Sequence, residues 1–316
     1  MRKVPALREG DTVAFVSPSS QSTMESIEKA VKVTEDMGFR VKLTRSCYES
    51  EGYHAGSDFV RADDINRVFL DPDVRGIFCV RGGDGATRLP QRIDIETVYK
   101  NPKVFLGYSD ITILHTMFNR PRGFITFHGP MPASEFIRVS FPGYVRESLL
   151  RAITDTEPMG EITPCEGAPP METLVPGTAE GELAGGNLAL VCALLGTPWE
   201  IDTRGKVLVL EDTNEPVYRL DRMLMQLRLA GKLDAAAGIV LGQFTHIQPR
   251  KPKDSFTLPE VFEAVVAPVG KPTLINGCFG HDEKKATLPL GARAVLDGSR
   301  STLTVISRGR SGVDAP

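Results

Sequence analysis

Lys103-Val104-Phe105-Leu106-Gly107-Tyr108-Ser109-Asp110-Ile111-Thr112 is the stretch on which the fold turns. An apolar run of strand length stops at Gly107, and helical spacing begins at Asp110 and continues to Asn119. Strand, sharp turn and helix in direct succession form the repeating step of a parallel sheet. The same step recurs on both sides. Upstream, Thr12–Ser17 is an apolar run that ends in Ser17-Pro18-Ser19-Ser20. A helix from Met24 to Met37 follows, through Ile27, Ala30, Val31 and Thr34, and stops at Gly38. Arg40–Leu43 predicts a second strand and Asp58–Leu70 an amphipathic helix. Gly76–Val80 predicts a buried strand that runs into Arg81-Gly82-Gly83-Asp84-Gly85. Downstream, Phe124–Phe127 is the next strand. The fold class read from this alternation is α/β, a parallel sheet covered on both faces.

The pattern weakens after the first half. Pro142–Ile153 has room for one helix, and Thr154–Thr178 is rich in Pro, Gly, Thr and Glu, as in a linker. The second half carries helices at Leu188–Leu195 and Val217–Ala230. Its strands are expected at Lys206–Leu210, Gly238–Leu241, Thr273–Asn276, Ala292–Leu296 and Ser301–Ile306, the last two joined as a hairpin around Leu296-Asp297-Gly298-Ser299. The expected organisation is an N-terminal domain over 1–137, a linker region over 138–178 and a C-terminal domain over 179–316. The tail Ser307–Pro316 is expected to fray.

Composition narrows the function classes. The 316 residues hold 37 Lys+Arg against 40 Asp+Glu, a net charge of −3, which removes the positive field a nucleic-acid binder relies on. No apolar run approaches the roughly 18–20 residues of a membrane helix, and the start Met1–Gly10 has no apolar signal core. Cys47, Cys79, Cys165, Cys192 and Cys278 are odd in number and scattered, several of them in apolar runs. They read as free thiols in a reducing compartment. No His/Cys spacing suits a metal, and the glycine loop lacks a P-loop lysine, so no cofactor or metal is expected.

The candidate chemistry lies just past the strands. Ser109 stands on the strand-to-helix turn, which fits either a nucleophile or a helix N-cap. Arg81–Gly85 follows another strand and fits either an anion cradle or a tight turn. Glu211 ends the run Lys206–Leu210, where a carboxylate needs a partner to offset its desolvation, and a His would serve. The neighbouring Asp212, Thr213, Asn214 and Glu215 suit N-capping of the helix from Val217. His281 follows a Gly-bounded loop, as either a solvated side chain or a base. Among the other histidines, His115 has packing spacing, His128 follows a strand, and His54 and His246 lie in polar loops. Ser109, Glu211 and His281 each follow a strand, where open α/β sheets place their ligand crevice.

Taken together, Gly107-Tyr108-Ser109-Asp110-Ile111-Thr112, Arg81-Gly82-Gly83, Gly52-Tyr53-His54-Ala55-Gly56, Gly185-Gly186-Asn187, Leu210-Glu211-Asp212 and the Gly280-His281 loop resemble the LD-carboxypeptidase family of serine peptidases, which also contains the microcin C immunity hydrolases. The resemblance runs from about Gly10 to Gly298. It implies a flavodoxin-like parallel-sheet domain carrying the nucleophile, followed by a mixed α+β domain rich in strands. It also implies Ser109 as nucleophile, His281 as general base and acid, and Glu211 as the residue that orients His281. The oxyanion hole would be the Asp110 N–H with that of Gly82 or Gly83, Gly83 being preferred. The implied reaction releases the terminal D-alanine from a murein tetrapeptide, in the cytoplasm and by a homodimer. One departure is Asp84, where the family commonly has an aromatic residue. Two other readings stand beside this one: a hydrolase of microcin-C-like peptidyl or aminoacyl nucleotides, and a non-catalytic two-domain protein that binds a small solute.

Overall fold

Strands form where the sequence places β-branched and aromatic residues in short buried runs. In chain order they are β1 (Thr12–Val16), β2 (Arg40–Leu43), β3 (Val74–Cys79), β4 (Val104–Gly107), β5 (Thr126–His128), β6 (Gly160–Glu161) and β7 (Glu172–Val175). There follow β8 (Thr178–Asn187), β9 (Val207–Thr213), β10 (Gly238–Thr245), β11 (Thr273–Ile275), β12 (Leu288–Leu290), β13 (Arg293–Asp297) and β14 (Thr302–Val305). The computed structural model describes residues 1–138, 141, 143–164, 167–248 and 252–309. Cys165 and the tail beyond Gly309 lie outside them.

The chain divides into two units, each with its own sheet. The first comprises Met1–Glu157, Thr287–Gly291 and, at the end, Arg308 and Gly309 of the described residues. Its sheet runs in the order β12-β5-β4-β3-β1-β2. Strands β1 to β5 are parallel, and their order is the flavodoxin-like 2-1-3-4-5. Only β12 is antiparallel, with Leu288 opposite His128 and Leu290 opposite Thr126. The helix Asp58–Leu70 starts where Ser57 accepts the Val60 N–H, and its apolar side buries Val60, Ile65, Val68 and Phe69. The region expected as linker holds a helix, Gly143–Thr154, which belongs to this first unit.

The second unit comprises Pro158–Ala286 and Ala292–Ser307. Its sheet runs β6-β14-β13-β8-β9-β10-β11-β7. A parallel centre, β8 to β11, is flanked by antiparallel strands, including the β13–β14 hairpin. Leu208, Leu210, Ile239 and Leu241 pack with Leu220, Leu224 and Leu227 of the helix Val217–Leu229 to form its core. That helix begins after Pro216 with no side-chain cap, so none of the four polar residues read as its caps stands at the cap position. Cys47, Cys79, Cys192 and Cys278 are all buried free thiols.

Among the described residues no helix is long and apolar enough to cross a membrane. Phe105 of β4 is fully buried and packs against Phe69 and Phe118, with ring centroids 6.4 and 4.9 Å away. Phe105→Ala is expected to cost about 3–5 kcal/mol, read as a lower urea midpoint at unchanged slope. A loss below about 1 kcal/mol would show that β4 does not anchor this core.

Candidate active site

In the first unit, the site is built by the turn after β4. Tyr108 is extended (φ −156°, ψ −170°) and leads directly into Ser109, whose φ is +64°. A left-handed non-glycine residue costs roughly 1–2 kcal/mol, and sharp strand-to-helix turns accept that strain to project a side chain. Ser109–Ile111 form a tight turn that continues as the helix Thr112–Phe118. Tyr108 stands at the cap position and no side chain caps the turn, so Ser109 is not the helix N-cap.

Buried polar groups fix this turn from below. His115 lies behind it, fully buried, with Nδ1 2.8 Å from Thr126 Oγ1 and Nε2 2.8 Å from the Gly107 carbonyl. Burial pulls its pKa down to about 4, so the ring is neutral and donates Nε2–H to Gly107. Tyr108 Oη donates to Glu135 at 2.7 Å, and its ring meets the edge of buried His128. Asp110 is buried, and its Oδ2 accepts from Ser19 Oγ at 2.6 Å and from the Ala86 N–H at 2.8 Å. Burial outweighs those hydrogen bonds and pushes the Asp110 carboxyl up to about 6.

The other sequence motifs of this unit gather at the same sheet edge. Gly82 is buried against Ser109, and a Cβ on it would lie 2.9 Å from Ser109 Cβ and 3.1 Å from Oγ, so only glycine lets the loop approach this closely. Gly83 is exposed and packs on Ser20. His54 is bridged to Ser20, and the Ala55 N–H donates to the Ser19 carbonyl at 3.0 Å. Arg61, fully buried, donates to the carbonyls of Pro18 (2.6 Å) and Gly56 (3.2 Å) and pairs with Asp58. Reading the sequence alone missed Ser19, Ser20 and Arg61. The serines had one signal, their place just past β1. Arg61, inside an amphipathic helix, had none.

In the second unit, Glu211 lies on β9, in register with Asn187 of β8. Its side chain is completely buried, and Oε2 is 2.6 Å from His281 Nδ1. With Nδ1–H donated to the carboxylate, the lone pair of the neutral ring resides on Nε2. The loop carrying His281 is fastened to β10: Gln243 N–H donates to the Phe279 carbonyl, and Gln243 Oε1 accepts the Asp282 N–H. Gly280, at φ +129°, crosses so near Glu211 that a Cβ would lie 3.1 Å from that residue's Cβ. Asp212 accepts from Asn187 Nδ2 and the Ala189 N–H, both at 3.0 Å, and so supports the start of the helix Leu188–Ala193, whose N-cap is Asn187, instead of capping the one from Val217. Burial, with Glu211 beside it, pushes Asp212 up to about 6.

Thus Ser109, Asp110, Gly82 and Gly83 meet in the first unit, and Glu211 and His281 pair in the second. Among the described residues no cluster of three His, Cys, Asp or Glu side chains could hold a metal ion. Comparison with known proteins gives the arrangement its family. The LD-carboxypeptidase N-terminal domain profile matches residues 13–129, and the LD-carboxypeptidase C-terminal domain profile matches 180–296. The chain belongs to the LD-carboxypeptidase family. It is 39% identical to a probable murein peptide carboxypeptidase of Bacillus subtilis, over 96% of this chain and 94% of that one. It is 30% identical to the murein tetrapeptide carboxypeptidase of Pseudomonas aeruginosa, over 91% and 94%. Its fold matches the structure of MccF in complex with glutamyl sulfamoyl guanosine with a TM-score of 0.89 at 24% identity, covering 98% of this chain and all of that one. As an LD-carboxypeptidase family member the protein is a serine carboxypeptidase, a hydrolase, and the non-catalytic reading is set aside.

Asp110 also sets a pH dependence of stability. The folded state keeps its proton up to about pH 6, whereas an unfolded chain releases it near 3.9. Between these values the folded state binds the extra proton, so this group's contribution falls as pH rises, by about 1.4 kcal/mol per unit, and is level above pH 6. Asp110→Asn removes this slope. Relative to the parent, the variant's stability is expected to climb from about pH 4 to about pH 6 in urea titrations. Parallel stability curves would contradict it.

Proposed function

We propose that the protein releases the terminal D-alanine of a murein tetrapeptide by a Ser109–Glu211–His281 triad. The observation that carries this reading is the left-handed Ser109 on a strand-to-helix turn, with Gly82 packed on its side chain. The Glu211–His281 pair supports it, since that hydrogen bond selects the tautomer a general base needs.

In the proposed reaction, Ser109 Oγ attacks the carbonyl that joins the L-centre of the third residue to D-Ala. His281 Nε2 takes the hydroxyl proton, and Glu211 stabilises the resulting imidazolium. The Asp110 and Gly83 N–H groups hold the oxyanion, each donor being worth roughly 3–4 kcal/mol. As the C–N bond breaks, His281 returns the proton to the amine of D-Ala. Water, deprotonated by the same imidazole, then cleaves the acyl-enzyme and frees the tripeptide. The protein's own residues perform every step. We place the enzyme in the cytoplasm as a homodimer, acting on recycled wall peptides; the four buried free thiols support a reducing compartment.

A D-Ala release assay on a defined tetrapeptide tests the reading. Ser109→Ala and His281→Ala are expected to lower kcat by about 10⁵–10⁶, and Glu211→Ala by about 10⁴, with the melting temperature retained for Ser109→Ala and lowered for His281→Ala, which leaves the buried Glu211 carboxylate without its partner. Near-parental turnover by Ser109→Ala would remove the triad. A parent enzyme inert on tetrapeptide but active on an aminoacyl nucleotide would move the substrate to the microcin-C-like class.

A further inference from the structure

We propose that Ser20 is a positioning residue that sets the direction of the Gly82–Gly83 peptide and so aims the Gly83 N–H at the oxyanion formed on Ser109's substrate; this rests on Ser109 being the nucleophile. Three observations support it. The Ser20 N–H donates to the Gly82 carbonyl at 3.4 Å. The Asp84 N–H donates to Ser20 Oγ at 3.0 Å. Gly83, at φ +113°, lies so close that a Cβ on it would be 2.3 Å from Ser20 Oγ.

The peptide plane supplies the consequence. In a trans peptide the carbonyl and the next N–H point in opposite directions. With the Gly82 carbonyl turned to Ser20, the Gly83 N–H turns away from it, while Gly82 itself rests on Ser109. A loop with glycine at 82, 83 and 85 has little intrinsic preference for one peptide orientation, because glycine enters either half of φ space with little bias. The loop therefore needs fasteners. Ser20 supplies one before Gly83 and one after it. Asp110, through the Ala86 N–H, ties the far end, and Ser19 binds the same Asp110 oxygen. Ser20 thus holds the loop on both sides of Gly83, and Ser19 beside it holds the Asp110 oxygen that ties the far end.

Two measurements on Ser20→Ala test this. The first is the rate at which a fluorophosphonate modifies Ser109, which depends on the oxyanion donors but not on the natural substrate. The second is kcat and KM for D-Ala release. Ser20→Ala keeps the backbone bond to the Gly82 carbonyl and removes the Oγ that holds the Asp84 N–H. Loss of that second fastener, by letting the donor stray, is expected to slow both labelling and kcat by about ten- to a hundredfold, with KM within about threefold and the melting temperature held. A merely structural Ser20 would lower the melting temperature and leave the labelling rate of the folded fraction unchanged, which would overturn the proposal, as would equal labelling rates. If the parent labels at Ser109 but releases no D-Ala, the substrate reading fails, and the labelling comparison still decides Ser20. If the parent does not label at Ser109, both fail.

Discussion

The Asp110 carboxylate is the constraint on which the first unit's site depends. It is buried, and two donors from two separate loops, Ser19 and Ala86, converge on one of its oxygens. Burial alone would favour the neutral acid, and its raised pKa records that opposition. The group therefore weakens the fold at neutral pH while drawing the Ser17–Ser20 loop and the glycine loop to the turn of Ser109. Natural active sites commonly accept such local instability in exchange for fixed geometry. The strained φ of Ser109 belongs to the same account: packing of β4 and the helix Thr112–Phe118 overdetermines the turn.

The second unit meets the problem of a buried carboxylate differently. Glu211 is fully enclosed, and its partner is a single side chain, His281, delivered by a loop that only Gly280 allows to pass. Asp212, one residue later, faces the other side of β9 and serves a helix N-terminus. Strand alternation thus gives the two acids of one dipeptide different partners, a histidine and a helix N-terminus.

Much of the fold was legible because period and caps agreed. The helix Asp58–Leu70 has a serine before it and apolar residues on one face, and its ends matched the reading. The parallel strands β1, β3 and β4 are short apolar runs, as doubly covered strands must be. Strand β8 was not read along its length, because Gly181, Gly185 and Gly186 dilute its apolar signal, while Gly181 and Gly185 permit its neighbours to approach. Strand β12 was not read either: Leu288-Pro289-Leu290 is too short for a period, and its proline suits only an edge. At the site, Glu211 announced its need for a partner through its position in an apolar run. The fasteners Ser19 and Ser20 did not, since their partners lie 91 and 64 residues away, and such pairings arise only from the sheet order.

The central claim is that Ser109 becomes acylated during turnover. Acid-quenched samples of the parent enzyme turning over a tetrapeptide, analysed by intact and peptide mass spectrometry, test it most directly. The account predicts a transient adduct of substrate mass less D-alanine, located on Ser109. Steady product formation with no adduct on Ser109, or with the adduct on another residue, would contradict it.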